Sequence, residues 1–158
     1  MIRKLVALFL LLICASAIGQ TVNSTERQDR SNVYNESFVQ CLNYLKNGEV
    51  KLPDSIYIES DYKLTNRLIP RIGKTRLIIL PDSTLAKRVK KADKAVIVYR
   101  LFPLAYQNKK FNITIIPFGV RYDKELKEIR YTNSGGYLIV FDFEKGYFKF
   151  NRIIYNGI

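Results

Sequence analysis

Lys87, Arg88, Lys90, Lys91 and Lys94 place five cations within eight residues, next to the apolar Leu85 and Val89. On a helix from about 83 to 92, Leu85, Ala86, Val89 and Ala92 share one face, and Lys87, Arg88, Lys90 and Lys91 take the other. The chemistry on offer is recognition of negative charge, because a basic amphipathic helix can meet an acidic partner or lie on an anionic surface. The same pattern also suits a solvated outer face whose apolar stripe packs on a sheet. These five residues are the candidate anion-binding or partner-binding set.

Other chemistries find little support. The chain holds no histidine and two cysteines, so neither a Ser-His-Asp nor a Cys-His arrangement can form. Zinc sites draw on the same residue types. No glycine-rich loop has dinucleotide or P-loop spacing, and Gly135-Gly136 after Asn133-Ser134 reads as a turn. No catalytic, metal-binding or cofactor-binding residue is assigned, and no cofactor is expected. The nearest carboxylate pair is Asp142 and Glu144, two apart on a strand and so on one face, but beside a hairpin loop where charged side chains are ordinarily solvated.

Residues 1–19 set the expected compartment. Arg3 and Lys4, the apolar run from Leu5 to Ile13, and the small residues Ala15, Ser16, Ala17 and Gly19 read as a secretory signal peptide. Cleavage after Ala17 or after Gly19 is open. The apolar run is shorter than the roughly 20 residues a membrane span needs, and Ile13 before Cys14 departs from a lipid-attachment box. An exported, periplasmic or secreted protein with no transmembrane span is the expectation. Removing 19 residues leaves 24 basic against 14 acidic residues, a net +10, which favours acidic partners. An anionic envelope component, an acidic glycan or an acidic protein fits, whereas export disfavours nucleic acid. Cys41 is then left without an intramolecular partner, either as a buried thiol inside a helical pattern or pairing between chains. The oligomeric state is open.

Residues 20–31 are polar and read as a flexible arm, with residues 32–158 as a single domain. Val33, Phe38, Cys41, Leu42 and Leu45 predict an amphipathic helix over 33–46, stopped by Lys46-Asn47-Gly48. A short strand is expected at 55–59, a short helix at 61–68, a strand at 76–80, and the basic helix at 83–92 capped by Asp82 or Ser83. Residues 95–106, 111–122, 137–143 and 147–155 form two strand-rich hairpins, joined by a connector over 123–135 that reads as a helical turn or loop. Because Pro103 and Pro117 cannot donate to a ladder, a break is expected near Phe102-Pro103 or Ile116-Pro117.

Aromatic residues crowd the proposed sheet, with Tyr137, Ile139, Phe141 and Phe143 on one face of a strand and Phe148, Phe150 and Ile154 on one face of the next. Stripes at period two predict core; a concave aromatic face rimmed by cations would bind sugars or single-stranded nucleic acid. The fold class is α+β: N-terminal helices packed on a curved antiparallel sheet of four to six strands, ending in a meander. At the level of element order this resembles cystatin-like or nuclear transport factor 2-like folds, in which helices fill one face of a bent sheet. The resemblance rests on no motif and implies no activity. The leading functional expectation is a basic, non-enzymatic binding module for an anionic partner. The alternatives are a carboxylate- and tyrosine-based enzyme with a sheet-lined pocket, or an inhibitor or immunity-type protein.

Overall fold

In the computed structural model, residues 32–133 and 135–157 are described, so the expected signal peptide and the arm over 20–31 lie outside the described residues. The order of elements is α1 (Val33–Asn47), β1 (Ser55–Glu59), α2 (Tyr62–Thr65), β2 (Arg71–Ile72), β3 (Thr75–Leu80), α3 (Asp82–Lys91), β4 (Val96–Leu101), β5 (Ala105–Gln107), β6 (Lys110–Asp123), β7 (Glu128–Asn133), β8 (Gly135–Glu144) and β9 (Tyr147–Gly157). The protein is mixed α+β, with one many-stranded sheet and few helices.

Among the described residues the sheet has nine strands, in the order β2-β3-β1-β4-β6-β8-β9, with β5 and β7 also paired to β6. The sequence predicted four to six, all antiparallel. The extra strands are β2, β5 and β7, and the parallel pairing lies at the N-terminal side, where β1 runs parallel to both β3 and β4. Parallel neighbours require crossover connections, and here α3 carries the chain from β3 to β4 past β1.

That crossover explains a second difference. Phe38, Cys41 and Leu42 of α1 share a core with Ile56, Ile58, Ile113, Ile139 and Phe141, whereas Leu85 and Val89 of α3 share one with Leu80, Val98 and Val120. Ile56 and Ile58 alternate with Tyr57, which belongs to the second cluster. Successive side chains on a strand point to opposite faces, so α1 and α3 cover opposite faces of the sheet. The helices do not fill one face, as the layout resemblance implied. On the α1 side, Asn35 accepts the Ile69 N–H at 2.9 Å and donates to the Arg67 carbonyl at 3.2 Å, tying the segment after α2 to the helix.

β6 is the spine of the C-terminal half. β4 and β5 pair along one of its edges, and β7 and β8 along the other. The predicted break falls at residues 102–104, where the register against β6 slips by one residue between β4 and β5. Pro117 instead sits inside β6, opposite Tyr99. The Phe102 N–H bonds the Thr114 carbonyl at 3.0 Å, and by antiparallel alternation Tyr99–Pro117 is then a non-bonded pair. The proline nitrogen therefore faces the other edge, at the junction of β7 and β8, where no ladder bond is lost.

The connector over 123–135 was predicted as loop or helix, but contains β7. Ile129 and Tyr131 alternate with charged and polar neighbours, and the long β6 offers them an unpaired edge from Phe118 to Asp123. In β9 the register shifts between Val140 and Phe141 of β8, leaving Asn151 unpaired. This bulge inverts the parity, so Ile153 rather than Ile154 joins Phe148 and Phe150 against the α1-side core.

Candidate anion-binding groove

Helix α3 begins one residue earlier than predicted. Pro81 occupies the N-cap with φ −59°, Asp82 is the first helical residue, and no side chain caps the helix. Asp82 in the first turn and Arg88, Lys90 and Lys91 in the last both complement the helix dipole. Leu85 and Val89 are 2% and 1% exposed and seat the helix on the sheet, which fixes the direction of every other side chain.

The five predicted cations do not stay together. Lys87, Arg88, Lys91 and Lys94 line an open groove of about 790 Å³, with Tyr57 and Thr84 on its walls and the chain from Ala92 to Val96 along its side. Lys90 leaves by the opposite flank, its Nζ 5.2 Å from the Tyr122 ring centroid. The helix wheel separates only Arg88 from Lys90, roughly 160° apart; Lys87 and Lys91 stand one above the other between them, and Lys90 is drawn off by Tyr122 of β6 while Arg88 lies on Tyr57 of β1.

Arg88 is held against Tyr57 by two contacts. Its guanidinium carbon lies 4.0 Å from the Tyr57 ring centroid, and its Nη2 donates to the Tyr57 hydroxyl. A stacked guanidinium loses less side-chain freedom when it meets an anion. Sequence reading placed Tyr57 only as a strand residue; its separation of 31 residues from Arg88 carried no local signal. Asp93 also lines the groove and offsets part of the charge.

Elsewhere, Arg100, Lys110, Arg130 and Lys149 meet carboxylates. Arg100 is bonded to both oxygens of Glu59, and its guanidinium stands 4.9 Å and 5.5 Å from the Phe118 and Tyr131 ring centroids. The Glu59 hydrogen bond holds that guanidinium above its ordinary pKa. Arg130 is paired with Asp123 and Glu128. Arg100 and Arg130 therefore do not extend the groove, and among the described residues none of Lys87, Arg88, Lys91 and Lys94 is in an ion pair. Arg121 pairs across from Arg130 and Arg152 lies on β9, opposite Val140.

The carboxylate pair fares differently. Asp142 is salt-bridged to Lys110 and accepts the Asn151 amide at 2.5 Å; these two hydrogen bonds hold its carboxyl below the usual range. Glu144 lies 3.9 Å from Lys149 Nζ. A general acid needs the opposite displacement. Cys41 is fully buried and unpaired, and burial pushes its thiol up to about 12, so the inter-chain pairing left open above has no accessible sulfur.

No helix among the described residues is long and apolar enough to cross a membrane. No protein-family model matches the chain, and no curated protein and no solved structure proved similar to it.

Proposed function

We propose that this protein is an exported, non-enzymatic binding module that holds an anionic partner, an acidic glycan in the first instance, in the groove beside α3. One observation carries the reading: four cations converge on one open groove, free of ion pairs among the described residues, while the cations on strands β4, β6, β7 and β9 that meet carboxylates are neutralised by them. Lys87 and Lys91 form a ladder along the helix, and Arg88 on its tyrosine gives a pre-oriented fork for a carboxylate or sulfate. Lys94 extends the row beyond the helix end. The signal-peptide pattern of residues 1–19 supports envelope or extracellular anions as the partners of the groove.

The test is binding of a heparin-derived hexasaccharide, used as a polyanionic glycan probe, followed by calorimetry at low and moderate salt. Wild type binds with an affinity that falls as salt rises. Changing Lys87, Arg88, Lys91 and Lys94 together to Ala weakens binding at least tenfold. Equal, salt-insensitive binding by both proteins would overturn the proposal.

A further inference from the structure

A second concavity lies on the other side of the sheet, away from α3. It has a volume of about 610 Å³ and sits between the C-terminal end of α1, the segment from Val50 to Asp54, and the β2–β3 turn. Its apolar lining comes from Leu42, Leu52 and Ile72, with Leu42 only 4% exposed and part of the core. Val50 stands 51% exposed beside them. Lys46, Lys51 and Lys74 also line it, all exposed, together with the exposed Asp54, whose carboxylate offsets one of the three charges; among the described residues none of the three lysines is in an ion pair.

The walls are well defined. The Thr75 hydroxyl donates to the Pro53 carbonyl at 3.2 Å, and the Arg76 N–H bonds the Asp54 carbonyl at 2.9 Å, so the 50–54 segment is tied to β3. The Val50 N–H bonds the Leu45 carbonyl at 3.1 Å, and Glu49 takes a left-handed φ of 60° to turn the chain out of α1. The pocket is therefore held at both ends by backbone bonds. Its volume falls in the ordinary range for small-molecule sites, which combine an apolar lining with a few placed polar groups.

An apolar floor alone would suit any oily group, and three lysines alone would suit any anion. Together they select a molecule with both parts. We propose that this pocket binds a soluble, single-chain anionic amphiphile: an alkyl tail against Leu42, Leu52, Ile72 and Val50, and a carboxylate or phosphate head among Lys46, Lys51 and Lys74. The inference is independent of the α3 groove, since the two sites share no residue.

The experiment uses the full chain and a series of alkyl phosphates of eight, ten and twelve carbons, below their micellar concentrations, with decanol and inorganic phosphate as the partial ligands. Each methylene that enters the pocket tightens binding about fourfold, and decyl phosphate binds at least tenfold better than either partial ligand. Lys46, Lys51 and Lys74 changed together to Ala removes the preference over decanol while leaving the chain-length series intact. Val50→Trp, at a half-exposed position on the rim, obstructs the apolar part of the cavity and weakens binding. The proposal is overturned if alkyl phosphate does not bind, if inorganic phosphate binds as well, if Val50→Trp binds undiminished, or if only anionic vesicles are bound and no monomeric amphiphile.

Discussion

Cys41 offers a prediction whose size follows directly from its surroundings. Its thiol rises from the ordinary 9.0 to about 12 because burial disfavours the thiolate. A group whose folded pKa is raised contributes stability that is complete below its unfolded value and is lost as pH climbs towards the folded one. For Cys41 the window is therefore pH 9 to 12. At pH 10 the unfolded chain gains about 1.4 kcal/mol from ionising this thiol, which the folded chain cannot match. Cys41→Ala removes the term. The variant is less stable at pH 7, by about 1 kcal/mol from lost burial, but it escapes the alkaline loss, so the gap closes near pH 10. With a urea slope of about 2 kcal/mol/M, this appears as roughly 0.7 M of relative movement between the two midpoints. Tyr99 and Tyr137, also raised by burial, are present in both proteins and largely cancel in the comparison. Iodoacetamide labelling of the native thiol at pH 8 should also be about a thousandfold slower than in urea, from ionisation alone. Parallel decline of the two proteins from pH 7 to 10, or prompt native labelling, would refute the reasoning.

Phe38 is 1% exposed in the core beneath α1, so Phe38→Ala should cost about 3–5 kcal/mol and lower the melting temperature by roughly 10–20 °C in a circular dichroism melt; a drop of under about 3 °C would contradict the docking of α1. Gly135 has φ +138°, and an added Cβ would stand 2.6 Å from the Asn156 carbonyl oxygen, whereas Gly146, at φ +86°, faces open space. Gly135→Ala should therefore destabilise more than Gly146→Ala in urea titrations, and equal midpoints would count against the β8–β9 register. Asp142, held below the usual carboxylate range by Lys110 and Asn151, contributes stability that is complete above the unfolded Asp value of about 4 and is lost as pH falls through the lower folded value. Asp142→Asn should flatten the acid limb of stability against pH, which acid titration of both proteins would show.

Local periodicity made much of the fold legible. Phe38, Cys41 and Leu42 mark α1 at helical spacing, Ile56 and Ile58 mark β1 at period two, and Leu85 and Val89 mark α3. The parallel pairing of β1 with β3 and β4 was not legible, because it joins residues separated by a crossover and leaves no trace in either strand alone. β7 was hidden because its charged and polar residues resemble a turn, and it becomes a strand only through the length of β6 that it covers. A single unpaired residue, Asn151, inverted the face assigned to Ile154. In the candidate site, composition identified the basic helix, but the division between Lys90 and the other four cations depends on where Tyr57 and Tyr122 lie beneath it, which is tertiary information.

The central claim is that a particular groove, and not net charge, recognises the anion. Lys90 and Lys91 are adjacent and exposed and carry the same charge, but Lys91 lines the groove whereas Lys90 lies over Tyr122 outside it. The most direct measurement is therefore the affinity of the hexasaccharide for Lys91→Ala against Lys90→Ala at one salt concentration. The groove predicts a loss of roughly three- to tenfold for Lys91→Ala, as for one charge-assisted contact, with Lys90→Ala within twofold of wild type. Equal losses in the two variants would contradict the account and reduce the binding to overall charge.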